Sequence, residues 1–142
     1  AKHPHVFVAA TNHPLSKVKE IDPASLNDFD LITRESGSGT RAHMETFFED
    51  HDIQPNIIME MSSNESIKQS VIAELGISFV SKHTIANEVN EGQLQILDVK
   101  NTPIFRKWHV VTLNPMSLNR SVELLKDFIL NQSQKILIKL EN

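Results

Sequence analysis

The stretch LITRESGSGTRAHMETFFED, residues 31–50, passes from a β-rich segment through a Gly/Ser loop into an amphipathic pattern, and it decides how the rest of the chain is read. Phe29, Leu31 and Ile32 make FDLIT (29–33) the strand. From Thr40 onward Met44, Phe47 and Phe48 recur at i, i+3 and i+4, while Arg41, Glu45, Glu49 and Asp50 fall mostly on the other face. That spacing predicts an amphipathic helix of about three turns. The loop therefore follows a strand and opens a helix, and ligands of α/β proteins sit beyond the carboxyl ends of strands.

Upstream, VFVAA (6–10) reads as a short buried strand stopped by Asn12-His13-Pro14. Downstream, Pro55 breaks the first helix and residues 57–61 form a β-rich run. The segment SSNES (62–66) is a helix-start signal, with Ser62 and Glu65 at capping-box spacing. Ile67, Val71 and Leu75 lie at i, i+4 and i+8, which predicts a helix over 64–75 with one face on a sheet. GISFV (76–80) is the next strand, KHTIANEV (82–89) a short helical stretch, NEGQ (90–93) a turn and LQILDV (94–99) an alternating strand. FRKWHVVTLN (105–114) reads as a longer strand ended by Asn114-Pro115. Leu118, Val122, Leu125, Phe128 and Ile129 mark a last amphipathic helix with Ser117 as N-cap. The tail QKILIKLEN extends that helix, with ILIKL as an alternative strand. The alternation of strands and helices implies an α/β fold with an at least partly parallel sheet.

With 142 residues there is room for one core, and a second complete domain is not expected. Apolar residues make up 39% and charged residues 23%, and no apolar stretch approaches the roughly 20 residues that span a bilayer. Zero cysteines exclude disulfides, thiolate metal sites and thiol redox chemistry. A net charge of −4 argues against general nucleic-acid binding, which depends on Lys and Arg neutralising phosphates. The N-terminus AKHPHVFVAATNHPLS lacks the pattern of a signal peptide and starts nearly inside a strand, so a fragment of a larger protein is expected.

Glu35 to Thr40 combine glycines that let backbone approach a ligand with a helix start that offers unpaired N–H groups and partial positive charge. The hydroxyls of Ser36, Ser38 and Thr40 add donors, and Arg41 adds a charge. Capping alone also accounts for Ser and Thr there, and the pattern leaves both readings open. It is not a Walker loop, because no Gly-Lys-Ser/Thr follows, and a dinucleotide fingerprint would need a third glycine. SSNES is a second polar helix start, and two such termini facing one cleft make a stronger anion trap than one. His3, His5 and His13 cluster near the start, yet the flanking prolines suggest turns, no HExxH pair exists and no metal site is expected. His43, His51, His83 and His109 are read as solvated or packed, Trp108 as core or interface, and no catalytic set emerges.

Taken in order, VFVAATNHPLS, LITRESGSGTRAHMETFFE, SSNESIKQSVIAELGISFVSKHTI, EGQLQILDV and WHVV resemble the effector-binding domain of LysR-type transcriptional regulators, nearest the CbbR-type branch that controls carbon-fixation (Rubisco) operons. The resemblance covers nearly the whole chain. It implies a type II periplasmic-binding-protein-like α/β fold with the second subdomain complete and the first only partial. Residues 1–11 would be a crossover strand, 12–103 the second effector-binding subdomain, and 104–142 a return strand and C-terminal helix that pack with the first. It also implies effector contacts from Ser36, Gly37, Ser38, Gly39, Thr40 and Arg41 and from Ser63 and Asn64 on the facing loop. The implied effector is a small anion, a sugar phosphate or NADPH, with no resident cofactor and no enzymatic activity. The implied protein is a cytoplasmic homo-oligomer that reaches promoter DNA through an N-terminal helix-turn-helix domain outside this chain. Glu74 stands where the family usually has Gly and Ser81 where it often has Pro, so the turn is expected to differ and a glutamate near the cleft to weaken anion binding. A periplasmic oxyanion-binding protein, whose loops resemble SGSGTR, is the alternative reading, and an enzyme of this fold such as a dehydratase is the third.

Overall fold

The computed structural model describes residues 2–107, 109–112 and 119–138. At its centre β1 (Lys2–Ala10) is buried from His5 to Ala10. Phe7 and Ala9 enter one apolar cluster and Val6 and Val8 another, as alternation along a strand requires. A strand covered on both faces needs apolar residues at every position, which is why VFVAA shows no polar alternation.

The other strands are β2 (Asp30–Arg34), β3 (Asn56–Met61), β4 (Ile77–Ser81), β5 (Leu94–Ile96) and β6 (Ile104–Lys107). They form a mixed sheet in the order β3-β2-β4-β1-β5, with β6 also on β1. β2 runs parallel to β3 and β4, whereas β1 is antiparallel to β4, β5 and β6. The sheet is thus partly parallel, as the alternation predicts. On one edge of β1, β6 pairs with residues 2–5 and β5 with residues 8–10, while β4 pairs with 5–8 on the other edge.

Helix α1 (Gly39–Asp50) buries Met44, Phe47 and Phe48, the residues its periodicity singles out. Phe7 lies 5.4 Å from Phe47, 5.9 Å from Phe48 and 4.9 Å from Phe79 between ring centroids, so an aromatic set joins this helix to β1 and β4. Helix α2 (Asn64–Ile72) covers the opposite face with Ile67 and Val71, next to α3 (Ala86–Asn90). Two 3-10 turns, Pro14–Lys17 and Pro23–Asp28, lead from β1 to β2 and bury Leu15 and Leu26.

Several boundaries differ from the sequence reading. α2 is capped by Ser63, whose hydroxyl accepts from Ser66 N at 3.3 Å, so Ser62 and Glu65 are one position out of register for a capping box. The helix ends at Ile72 because Glu74 takes a left-handed φ of 61°, and Leu75 is left 44% exposed instead of continuing the apolar line. Gly76 follows where a Cβ would lie 2.6 Å from the Asp30 carbonyl oxygen, a close approach only glycine permits. β5 stops at Ile96, and Val99 instead bridges Ile21 in parallel. β6 is described over Ile104–Lys107, residues 109–112 carry no strand, and Trp108, Asn114, Pro115, Ser117 and Leu118 lie outside the described residues. The last helix, α4 (Arg120–Ile138), is helical through residues 136–138, so the strand reading of ILIKL does not hold there. Val122, Leu124, Leu125, Phe128, Ile129 and Leu130 are exposed on it.

Candidate functional site

β2 delivers Arg34 to its carboxyl end, where Glu35 N still donates to Met61 O of the neighbouring strand at 3.1 Å. The chain then turns through Gly37, whose φ of 85° suits glycine, and Ser38 N donates back to Glu35 O at 3.1 Å. Ser38 is the N-cap of α1, with a long 3.5 Å contact from Arg41 N to its hydroxyl. Gly39 and Thr40 form the first turn, where helix N–H groups lack intrahelical acceptors. Because β1 is antiparallel to β4, its N-terminal half lies at this same end: His5 is opposite Ser81 on one side and Ile104 on the other, and His3 is opposite Arg106.

These segments enclose a cavity of about 310 Å³ lined by His3, His5, Arg34, Ser38, Gly39, Thr40, His43, Arg106 and Lys107. Three of the lining residues are permanent cations, three are histidines and none is a carboxylate. Arg34 donates to both oxygens of Glu35, at 2.7 and 2.8 Å, and to Asn64 Oδ1 at 3.0 Å. That pairing raises the guanidinium pKa and holds the Glu35 carboxyl below its ordinary value. Arg106 keeps its Nε buried without a hydrogen-bond partner. Burial pushes His3 and His43 below the usual imidazole value, and it takes His5 down to about 4, helped by the charges of His3 and His43. His5 Nε2 lies 3.4 Å from Thr40 Oγ1, and His3 Nε2 shares a 2.5 Å hydrogen bond with Ser81 Oγ. The arrangement offers a helix terminus, a hydroxyl pair and the cations Arg106 and Lys107 to a small anion, with Arg34 already paired to Glu35.

Of the residues expected at a ligand, Ser38, Gly39 and Thr40 line this cavity. Ser36 and Gly37 are exposed outside the lining, where Ser36 N donates to Glu60 Oε1 at 3.3 Å and Gly37 makes the turn. Arg41 also lies outside it, held by Glu45 at 2.7 Å and by Glu60, with Nη1 donating to Arg34 O. Ser63 caps α2, and Asn64 reaches the site through Arg34.

The histidines correct the sequence reading. His3 and His5 lie within β1 and not in turns, Pro4 between them pairs with Phe105, and His5 is only 3% exposed. Their i, i+2 spacing was the available signal, since it puts both rings on one strand face. Arg34, Arg106 and Lys107 also escaped, each at the end of a strand whose neighbour is far away in sequence. Glu74 does not approach the cavity. It lies before β4, at the opposite end of the sheet, where its charge acts on His13. Ser81, by contrast, is at the site and buried.

The model of the LysR substrate binding domain matches residues 1–134. The chain belongs to this family. Its fold is the type II periplasmic-binding-protein-like one of LysR substrate-binding domains. The LysR domain is 46% identical over 129 residues to the HTH-type transcriptional regulator CbbR of Xanthobacter flavus, covering 89% of this chain and 39% of that protein. The RuBisCO operon transcriptional regulator of Acidithiobacillus ferrooxidans is 48% identical over 111 residues, 78% of this chain and 36% of that protein. The LysR domain thus spans about two fifths of the length of these curated relatives. The CcmR regulatory domain of Synechocystis PCC6803, solved in complex with 2-PG, superposes with a TM-score of 0.84 at 36% identity, covering 90% of this chain and 62% of that one. The effector binding domain of QuiR, solved in complex with shikimate, gives 0.81 at 25% identity, with coverage of 94% and 63%. Among the described residues no group of three or more His, Asp or Glu is placed to hold a metal ion, and no helix is long and apolar enough to cross a membrane.

Proposed function

We propose that this LysR domain is the effector-sensing part of a DNA-binding transcriptional regulator of carbon-fixation (Rubisco) genes, and that it binds a small anionic metabolite in the cavity beyond β2. The observation that carries the reading is the cavity lining: Arg34, Arg106 and Lys107 converge with the first turn of α1, and the lining holds no carboxylate, Glu35 pairing with Arg34 from outside it. A site of that charge stabilises a phosphorylated or carboxylated ligand, since both the helix terminus and the guanidinium groups favour negative charge. The names of the relatives support the carbon-fixation branch, and the CcmR neighbour holding 2-PG supports a small effector. The relatives speak against the periplasmic and dehydratase readings, because they are transcriptional regulators.

On this reading 1–11 is the crossover strand, 12–103 the second effector-binding subdomain and 104–142 the return strand and helix that pack with the first subdomain. The exposed apolar residues of α4 suit such packing. Ser38, Gly39 and Thr40 contact the effector directly, while Arg41, Ser63 and Asn64 hold the surrounding loops. The effector is 2-PG, a sugar phosphate or NADPH. Its binding shifts the arrangement of a cytoplasmic homo-oligomer whose helix-turn-helix domains contact promoter DNA. Footprinting the full-length regulator on a carbon-fixation promoter tests this, with 2-PG, sugar phosphates and NADPH added in turn. A changed footprint or affinity with one of them is expected, and indifference to all of them would count against the reading.

A further inference from the structure

We propose that ligand binding in this cavity is coupled to proton uptake by the imidazoles of His3, His5 and His43, so that a doubly charged anion is held more tightly as the pH falls. This rests on the anion-site reading above and adds a regulatory property to it. His3 and His5 share one face of β1 with ring centroids 4.5 Å apart, and His43 of α1 stands edge-on to His5 at 5.8 Å. All three rings line the cavity.

The groups facing these rings come from every element around them. From α1 come Thr40 and His43. From β4 come Phe79, stacked on His5 at 5.5 Å, and Ser81, bonded to His3. The turn after β4 brings His83 to 5.6 Å from His3. β6 brings Arg106, whose charge acts on His5 and His43, with Lys107 beside it. β2 contributes Arg34, and Glu35 beside it has both carboxylate oxygens on that guanidinium. Among the described residues, the charged groups that act on the rings are Arg106 and other imidazoles, and no carboxylate raises their pKa values.

An anion between them reverses that balance. It stabilises each imidazolium it touches, and a protonated ring presents two N–H donors where a neutral one presents one. The sign follows from linkage. The rings start below their ordinary value, an anion moves them upward, and between those limits binding consumes a proton. Each proton consumed raises affinity by up to about tenfold per pH unit of acidification, and protonation and anion binding favour each other by the same factor.

Sulfate is the probe of choice, because its charge does not change across the range. Calorimetric titration of the chain with sulfate, at constant ionic strength and in buffers of different ionisation enthalpy, gives affinity and proton count together. Affinity roughly tenfold higher at about pH 5.5 than at about pH 7.5, with net proton uptake, is expected. Imidazole NMR titrations of the unaltered chain should show the midpoints of the cavity histidines rising when sulfate is present. The variant His43→Gln should flatten the pH profile, whereas His109→Gln, on an exposed residue, should leave it intact. Sulfate binding of equal strength at both pH values, without proton uptake, overturns the coupling and leaves the anion site standing. Absence of sulfate binding at any pH, or binding indifferent to Arg106→Gln, overturns the anion site and the coupling with it.

Discussion

His5 Nε2 lies 3.4 Å from Thr40 Oγ1, which links the central strand to the first turn of α1 across 35 residues of sequence. Thr40 and the buried histidine thus line the same space where a ligand would sit. Thr40→Ala should lower the affinity for sulfate severalfold, consistent with loss of one hydrogen bond of about 1 kcal/mol, while Thr40→Ser should largely restore it. Ser38→Ala removes an N-cap whose contact is already long, so a stability loss near about 0.5 kcal/mol is expected. Thermal melting and ligand titration of the three variants separate the two effects.

Arg106 and Arg41 should behave differently despite both lying near the loop. Arg106 lines the cavity, and Arg106→Gln should weaken anion binding by about tenfold or more, since charge-assisted hydrogen bonds contribute roughly 1.5–3 kcal/mol. Arg41 is committed to Glu45 and Glu60, so Arg41→Gln should change affinity little. Equal losses in sulfate titrations of the two variants would show that the cavity is not where the anion sits.

Glu74 occupies a left-handed backbone position, with φ of 61°, at the end of the sheet away from the cavity. Glu74→Gly relieves that strain and should stabilise the fold by about 1 kcal/mol, after allowance for the extra freedom of glycine in the unfolded chain. Urea unfolding measures the gain, and ligand affinity should stay unchanged.

Gly76→Ala should do the opposite. Its Cβ would meet the Asp30 carbonyl at 2.6 Å, where backbone and not a flexible side chain has to give way. A loss of about 1–3 kcal/mol is expected, as for overpacking elsewhere, and the same urea series would record it.

Acid should weaken the fold through His5. Its pKa in the folded chain is lowered to about 4 by burial first and then by His3 and His43, so the unfolded chain binds the proton more tightly. Stability is complete above the ordinary imidazole value and declines as pH falls from about 6.5 toward about 4, by on the order of 2 kcal/mol. Unfolding free energies across that window should show the slope in the native chain. A His5→Asn variant that still folds should show a shallower slope, with the part due to the other lowered histidines remaining.

The sequence carried the elements well where one face alone is buried or where both are. Met44, Phe47 and Phe48 defined α1, and the unbroken VFVAA defined the middle of β1. Ends were harder, because a left-handed Glu74 stops α2 where apolar spacing would continue it to Leu75. The cavity was only half legible. Ser38, Gly39 and Thr40 belong to one local unit that a reader can see, whereas His3, Arg34 and Arg106 meet through strand register, which no local pattern encodes.

The central position of β1 also bears on how the chain acquires its site. This strand pairs with β4, β5 and β6, so its partners begin with Ile77 and end with Lys107. Contacts of such long sequence separation have a large loop-closure entropy and form late, which slows folding relative to locally connected proteins. The lining is complete only when the segment carrying Arg106 and Lys107 is docked on β1. A metabolite that binds there would act on the last step of assembly, drawing nascent chains into the native state by mass action.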